Sequence, residues 1–415
     1  MRLPFKNKTS LLILIICFYN SFIIAQNRIS KIQLEKNEAS SIKIEKKIDS
    51  ILALLTLKEK IDMCHAQSKF STKGVGRLGI PEIWMSDGPH GVRAEISWDS
   101  WDHAGWTNDS ITAFPALTCL AASFNPQLSR DYGFSVGEEA RYRKKDVLLG
   151  PGVNIYRTPL NGRNFEYMGE DPYLASTMVV PYIKGVQKNG VAACVKHFAL
   201  NNQEHWRSSV NVEVSDRALH EIYLPAFKAS VEEAKVWSIM GAYNKFRSQH
   251  TTHHKLLTNK ILKGDWKFDG VVISDWSSAH STKEAALYGL DLEMGTGTDG
   301  LGTNTLNHYD QYFLANPFYR AIKNGELSED LVDDKVRRIL RLMYRTSLNK
   351  NKPTGKINSK DHHLTARKVA TEGIVLLKNE NNFFPIKDKK DIIIAVIGEN
   401  ATRPMTPGGG SSELK

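Results

Sequence analysis

The feature that most constrains this chain is a series of short apolar runs, each ending in polar residues. They read "IWMSDG", "LTCLAASF", "VLLGPGVN", "VAACVKHF", "WSIMGAYN", "GVVISDW" and "LDLEMG". Near-continuous apolar strands separated by helical stretches predict a parallel sheet covered on both faces. No glycine-rich phosphate fingerprint follows the first run, so a barrel fits better than a dinucleotide-binding sheet. The predicted class is α/β, a TIM-like (β/α) barrel. An eighth strand is not legible, which makes the barrel irregular or incomplete.

Helical periodicity fills the gaps. Ile48, Ile51, Leu52 and Leu55 share one face, and Thr56 with Glu59 has the spacing of a capping box. A second helix is predicted from Ser215, with Leu219, Ile222, Tyr223 and Phe227 on one side. A third opens at Ser328 and carries Leu331, Val332, Val336, Ile339, Leu340 and Met343.

The ends of the chain have a different character. Residues 1–25 place Arg2, Lys6 and Lys8 before the apolar run "LLILIICF", the order of a secretory signal peptide with cleavage near Ala25. The run is interrupted by Tyr19, Asn20 and Ser21 and falls short of the roughly 20 apolar residues of a span. Export to a periplasmic or extracellular location follows as the expectation, with no stable membrane span after cleavage. Residues 26–345 make the barrel. Residues 346–361, "TSLNKNKPTGKINSKD", have linker chemistry. Residues 362–415 open a second unit with a helix-like segment, the strand candidate "DIIIAVIG" and the stretch "TPGGGSSELK". This much chain is too short for a core of its own.

Composition enters as an exclusion. With 24% charged and 41% hydrophobic residues the chain is neither disordered nor a polytopic membrane protein. Its formal charge of +10 arises from 55 Lys and Arg against 45 Asp and Glu, scattered as in "KIEKKIDS", with no basic face interleaved with aromatics. Nucleic acid is therefore not an expected partner. Cys64, Cys119 and Cys194 are widely spaced in apolar sequence and read as free core thiols. His250, His253 and His254 fit neither HExxH nor a facial triad, so no metal and no cofactor are expected.

In a barrel the chemistry gathers at the C-terminal ends of the strands. That rule collects Asp87, Lys196, His197, Tyr243, Asn244, Asp275, Trp276 and Glu293. A carboxylate-bearing pocket with aromatic walls suits sugars, whose hydroxyls need fixed donors and acceptors while the pyranose face stacks on a ring. Asp275, ending the apolar strand "GVVISD" beside Trp276, is the sharpest candidate. Its alternative reading is a helix cap, that of Lys196 and His197 a salt bridge within the fold. Asp87, in the turn "SDGPHGVR" with Arg93 near, and the pair Arg163 and Glu166 are equally compatible with structural roles.

Together the segments "SDGPHGVR", "LLGPGVNIYRTPLNGRNFEYMGEDPYLAS", "CVKHFALNNQE", "MGAYNKF", "GVVISDW", "GLDLEMG" and "TEGIVLLKNENNFFPI" resemble glycoside hydrolase family 3, in its β-glucosidase and β-xylosidase branch. The resemblance implies a retaining exo-β-glycosidase, β-glucosidase-like, acting on a β-linked oligosaccharide or glycoside. It implies Asp275 as nucleophile. It also implies Asp87, Arg163, Lys196 and His197 as hydrogen-bonding partners of the non-reducing sugar, Tyr243 beside the nucleophile and Trp276 stacking at the scissile bond. In this branch the acid/base is a Glu on a second α/β sandwich domain, which places it beyond residue 415; Glu204, in the loop after His197, is not taken for it. A β-xylosidase or other exo-β-glycosidase, and a non-catalytic sugar-binding remnant, are the competing readings.

Overall fold

A computed structural model of the chain describes residues 41–105, 110–295, 308–386, 392–403 and 410–414. Residues 1–25, over which a leader with cleavage near Ala25 is expected, lie outside the described residues. The backbone forms two units, 1–54 and 55–415. In the first, the described residues form a helix over 41–52. The barrel belongs to the second.

Five parallel strands lie side by side in chain order: β1 (Met85–Asp87), β2 (Val147–Leu149), β3 (Ala192–Phe198), β4 (Ser238–Gly241) and β5 (Val271–Ile273). Asp87 stands opposite Leu149, Val195 opposite Ile239, and Met240 opposite Ile273. Beyond β5, Leu292 bridges Ile273 and Glu293 bridges His65, both in parallel. Ala66 then pairs antiparallel with Thr72, and Ser71 with Trp84, next to β1. The sheet thus returns to its first strand through short, partly antiparallel links, an irregular (β/α) barrel. Val195, Ile239 and Val272 are fully buried at its centre.

Six of the predicted runs take their places in this ring, and one does not. "LTCLAASF" forms a helix, Leu117–Ala122, that buries Leu117, Leu120 and Ala121. Those positions have helical spacing, and a short apolar run rich in Leu and Ala does not by periodicity tell a buried helix from a buried strand.

The covering helices are α1 (Leu57–Met63), α2 (Pro126–Tyr142), α3 (Pro172–Gln187), α4 (Pro225–Glu232), α5 (Asp330–Arg345) and α6 (Lys360–Glu372). The capping box at Thr56 and Glu59 starts α1 as expected. Ser215 caps its helix too, but that helix passes through a π-helical turn, Leu219–Tyr223, before Pro225 begins α4. Proline has no N–H to give the preceding turn, which widens instead. α2 and α3 touch backbone to backbone: a Cβ on Gly133 would lie 2.2 Å from the Tyr182 carbonyl oxygen, and one on Gly185 2.4 Å from that of Arg130.

After α5 the chain meets α2, where the Asn358 N–H donates to Glu139 at 3.0 Å. His362 then anchors α6, with Nδ1 2.9 Å from Glu139 and Nε2 3.0 Å from Glu138. Beyond Gly373 the apolar side chains find little cover among the described residues. Ile374 to Leu377 and Ile392 to Ile397 lie exposed, and the described part of "DIIIAVIG" forms no strand.

Candidate active site

The C-terminal ends of β1, β3, β4 and β5 open on a cavity of about 560 Å³. Asp87, Arg163, Lys196, His197, Tyr243, Asp275 and Trp276, the residues the family resemblance implies, all line it. The remaining lining includes Arg93, Trp101, Phe165, Glu166, Glu204, Arg207, Met240, Gly410 and Ser411.

Asp275 sits two residues past β5, its carboxylate held on one side only. Tyr243 Oη–H and the Trp276 backbone N–H both donate to Oδ1 at 2.8 Å. Oδ2 is buried and accepts no hydrogen bond among the described residues. Burial raises the pKa of this carboxyl, and Arg163, Lys196 and the Tyr243 hydrogen bond only partly offset it.

The imidazole of His197 lies 3.4 Å from Oδ2, at a distance compatible with an ion pair. The surroundings oppose that reading. Burial, together with Arg163 and Lys196, drives the His197 pKa well below its ordinary value, so the ring is neutral. Arg163 donates to Nε2 at 3.0 Å, leaving Nδ1 to face the Tyr167 hydroxyl at 3.2 Å. Asn154 fixes the backbone on both sides, accepting from His197 N–H at 2.7 Å and donating to its carbonyl at 3.0 Å. His197 is thus a rigid neutral acceptor beside the carboxylate.

The pocket floor is a lattice of opposite charges. The Asp87 carboxylate accepts from Arg93 at 3.3 Å and faces Lys196 Nζ at 3.7 Å. The turn that sets this up is local: Gly88 adopts φ +156°, where a Cβ would fall 2.5 Å from the Gly91 oxygen, and Arg93 N–H returns to the Asp87 carbonyl at 2.9 Å. Glu166 accepts from Arg163 at 2.8 Å. Burial opposes its charge, but Lys196 and Arg163 outweigh that and hold its pKa below the usual range. Glu204 is already engaged, with Arg207 at 2.7 Å and Asn201 at 3.3 Å.

Sequence reasoning missed several lining residues. Arg207 lies in the loop after β3 and places its guanidinium 4.2 Å from the Tyr243 ring centroid. Trp101 comes from the loop after β1 and Phe165 from the turn between Arg163 and Glu166. Ser411 donates to Glu166, and Glu413 accepts from Arg93 at 3.1 Å, bringing the last described residues to the pocket wall. A glycine-rich stretch next to serines was the signal available for them. Two strand-end candidates stand elsewhere. Asn244 donates to the Ala199 carbonyl at 3.3 Å, and Glu293 accepts from the Leu314 N–H at 2.7 Å, both outside the cavity. A strand-end position alone does not say which way a side chain turns: the neighbours Lys196 and His197 both line the cavity, whereas Asn244 beside Tyr243 does not.

The histidine cluster is occupied by the fold. His254 Nδ1 accepts from Leu256 and Leu257 N–H, His253 Nε2 accepts from the His280 N–H, and His250 stacks on His280 at 3.7 Å. Asp62, His65 and Asp310 also converge, but the ammonium of Lys73 bridges the two carboxylates at 3.4 and 3.0 Å. Lysine takes the position a cation would fill.

The arrangement of a half-held carboxylate, a neutral imidazole and a floor of Asp87, Arg93 and Lys196 coincides with a match to the family described as glycosyl hydrolase family 3, N-terminal domain, over residues 24–342. The chain belongs to glycosyl hydrolase family 3. It is 62% identical over 377 residues to a β-glucosidase of Bacteroides ovatus, covering 90% of this chain and 50% of that protein. It is 40% identical over 374 residues to thermostable β-glucosidase B of Acetivibrio thermocellus, covering 88% and 46%. Among solved structures, the β-glucosidase of Kluyveromyces marxianus in complex with glucose superimposes with a TM-score of 0.77 at 34% identity, covering 88% of this chain and 43% of that one. The chain therefore spans about half the length of the curated family 3 relatives it matches.

Proposed function

We propose that the site is that of a retaining exo-β-glycosidase, β-glucosidase-like, that removes the non-reducing terminal β-D-glucosyl residue of an oligosaccharide or glycoside. The observation that carries this reading is the one-sided grip on Asp275. With Oδ1 immobilised by Tyr243 and Trp276, Oδ2 is left to attack the anomeric carbon and form a covalent glycosyl-aspartate. Water then releases the sugar with retention. Asp87, Arg93, Arg163 and Lys196 offer charged donors and acceptors to the glycone hydroxyls, and the neutral His197 holds the Arg163 guanidinium beside them.

The lining carboxylates other than Asp275 are all hydrogen-bonded to cationic side chains or face them. The family resemblance implies a Glu beyond residue 415 as the acid that protonates the leaving oxygen, and these engaged carboxylates support that reading. No helix among the described residues is long and apolar enough to cross a membrane. The basic, then apolar order of residues 1–25 supports export to the periplasm or the outside.

Incubation with a dinitrophenyl 2-deoxy-2-fluoro-β-glucoside tests this reading, because that leaving group needs no protonation. Peptide mass mapping is expected to find the fluoroglucosyl group on Asp275. Protein recovered unlabelled, while still binding glucose, would convert the assignment to a sugar-binding role. The matching fluoroxyloside labelling faster would move it to a β-xylosidase.

A further inference from the structure

Two loops meet at the carboxylate. The one after β4 brings Tyr243, the one after β5 brings Asp275, and the hydrogen bond of 2.8 Å from Tyr243 Oη–H to Oδ1 joins them inside the cavity. A second set of contacts joins the same loops behind it, through side chains that do not line the cavity.

This second set is built on histidines. Tyr243 lies two residues past the end of β4, and His250 Nδ1 meets its backbone carbonyl at 3.2 Å. A carbonyl only accepts, so Nδ1 carries the proton of that contact. Burial and then the neighbouring His280, with His253 and Lys245 acting in the same direction, outweigh the carbonyl and hold the His250 pKa down at about 4. The ring is therefore neutral near pH 7, with Nδ1–H as its one donor. Its face stacks on the His280 ring at 3.7 Å between centroids and 19° between planes. His280 belongs to the β5 loop and is fastened in turn: its backbone N–H donates to His253 Nε2 at 3.1 Å, and His253 Nδ1 lies 3.1 Å from Glu284 Oε2. Close by, Ser278 Oγ–H donates to Thr252 Oγ1 at 3.1 Å, while the Ser278 N–H returns to the Asp275 carbonyl at 3.0 Å.

The reach of the Tyr243 hydroxyl to Asp275 depends on where the backbone holds its Cα, because the ring turns on only two torsions. The contact that fixes the backbone there comes from His250. We propose that His250 is a positioning residue for the nucleophile: its Nδ1–H fixes the Tyr243 backbone, the His280 stack fixes His250, and Tyr243 thereby keeps Oδ1 of Asp275 engaged while Oδ2 is left to attack. This rests on the glycosidase reading above and adds to it a residue outside the cavity.

Inactivation kinetics of the whole chain with dinitrophenyl 2-deoxy-2-fluoro-β-glucoside separate glycone binding (KI) from attack by Asp275 (kinact). His250→Phe keeps a ring for the stack and removes the donor. Its kinact is expected to fall about fivefold, the scale of one neutral hydrogen bond, with KI within about twofold of wild type. His250→Asn places an amide N–H where Nδ1 stood and should bring kinact back to within about twofold of wild type. Misfolded molecules lower the extent of labelling and leave the rate constant of the competent ones unmoved. A wild-type kinact in His250→Phe, a loss confined to KI, or His250→Asn as slow as His250→Phe would each overturn the positioning role, while wild-type labelling at Asp275 upholds the glycosidase reading. A wild type that takes no label at Asp275 would overturn both.

Discussion

Two stretches of this chain have almost the same hydrophobic character and opposite fates. β3, Ala192–Phe198, is buried at every position and even takes Lys196 and His197 inside. The segment from Ile374 to Ile397 carries many more large apolar residues, yet Leu377 is 92% and Ile393 97% exposed. Apolar sequence is a demand for cover, and burial follows only where neighbouring strands and helices meet it. β3 has β2 and β4 on its edges and α3 and α4 near it. The later segment has no strand partner among the described residues.

Lysines from the two regions make the sharpest test. Lys196→Met should cost about 3 to 5 kcal/mol in denaturant unfolding, since it leaves the Asp87 and Glu166 carboxylates short of a positive neighbour inside the protein. Lys378 pairs with Glu380 at 3.0 Å on the exposed segment, and Lys378→Met should change stability by less than about 0.5 kcal/mol. Equal losses would mean that the segment after α6 is packed in solution.

Isoleucines repeat the comparison without charge. Ile239→Ala in β4 removes a fully buried side chain and should cost about 2 to 5 kcal/mol; Ile393→Ala should leave the transition where it is, within about 0.5 kcal/mol.

Glu293 probes the barrel alone. Burial pushes its carboxyl from the ordinary 4.5 up to about 7, against hydrogen bonds from the Leu314 and Phe313 N–H groups. A pKa raised on folding means stability that is complete below the unfolded value and is lost as pH climbs to the folded one. Between pH 4.5 and about 7 the loss amounts to about 3 kcal/mol. Glu293→Gln, which mimics the protonated acid, should remove that slope and leave the variant the more stable protein at pH 8.

The smallest effect is expected at the junction of the two regions. Burial works against a charged His362, but its bonds to Glu139 and Glu138 outweigh burial and raise its pKa. The anchorage of α6 should be strongest below the ordinary histidine value near 6.5 and weaken as pH rises through the raised one. Amide protection factors over residues 360–372, with the intrinsic pH dependence of exchange divided out, should fall between pH 6 and pH 8, and His362→Gln should flatten that fall.

Much of the site was legible because barrel chemistry sits where strands end. "VISDW", "CVKHF" and "GAYN" each place a reactive side chain just past an apolar run, and Asp275, Lys196, His197 and Tyr243 do meet in one cavity. Asn244 and Glu293 satisfied the same rule and turned elsewhere, Asn244 to the Ala199 carbonyl and Glu293 to the Leu314 N–H, partners that only the folded chain supplies. "LTCLAASF" was misread as a strand because a six-residue element with three buried positions is too short for periodicity to separate helix from strand. Trp101, Arg207 and Ser411 gave no comparable signal, since each lies in a loop whose position depends on what it packs against.

The sequence by itself determined the alternation of elements, the turn from Asp87 to Arg93 and the caps at Thr56 and Ser215, all set by residues within a few positions of one another. Only the tertiary structure decided that His197 is neutral and that Asp275 is gripped by one oxygen. It alone brought Ser411 to Glu166, 245 residues away, and left Trp101 half open at the rim. The physical reason is range. Capping and turn preferences act between neighbours on the chain, whereas desolvation, charge pairing and the making of a cavity depend on groups that only the closed barrel places side by side.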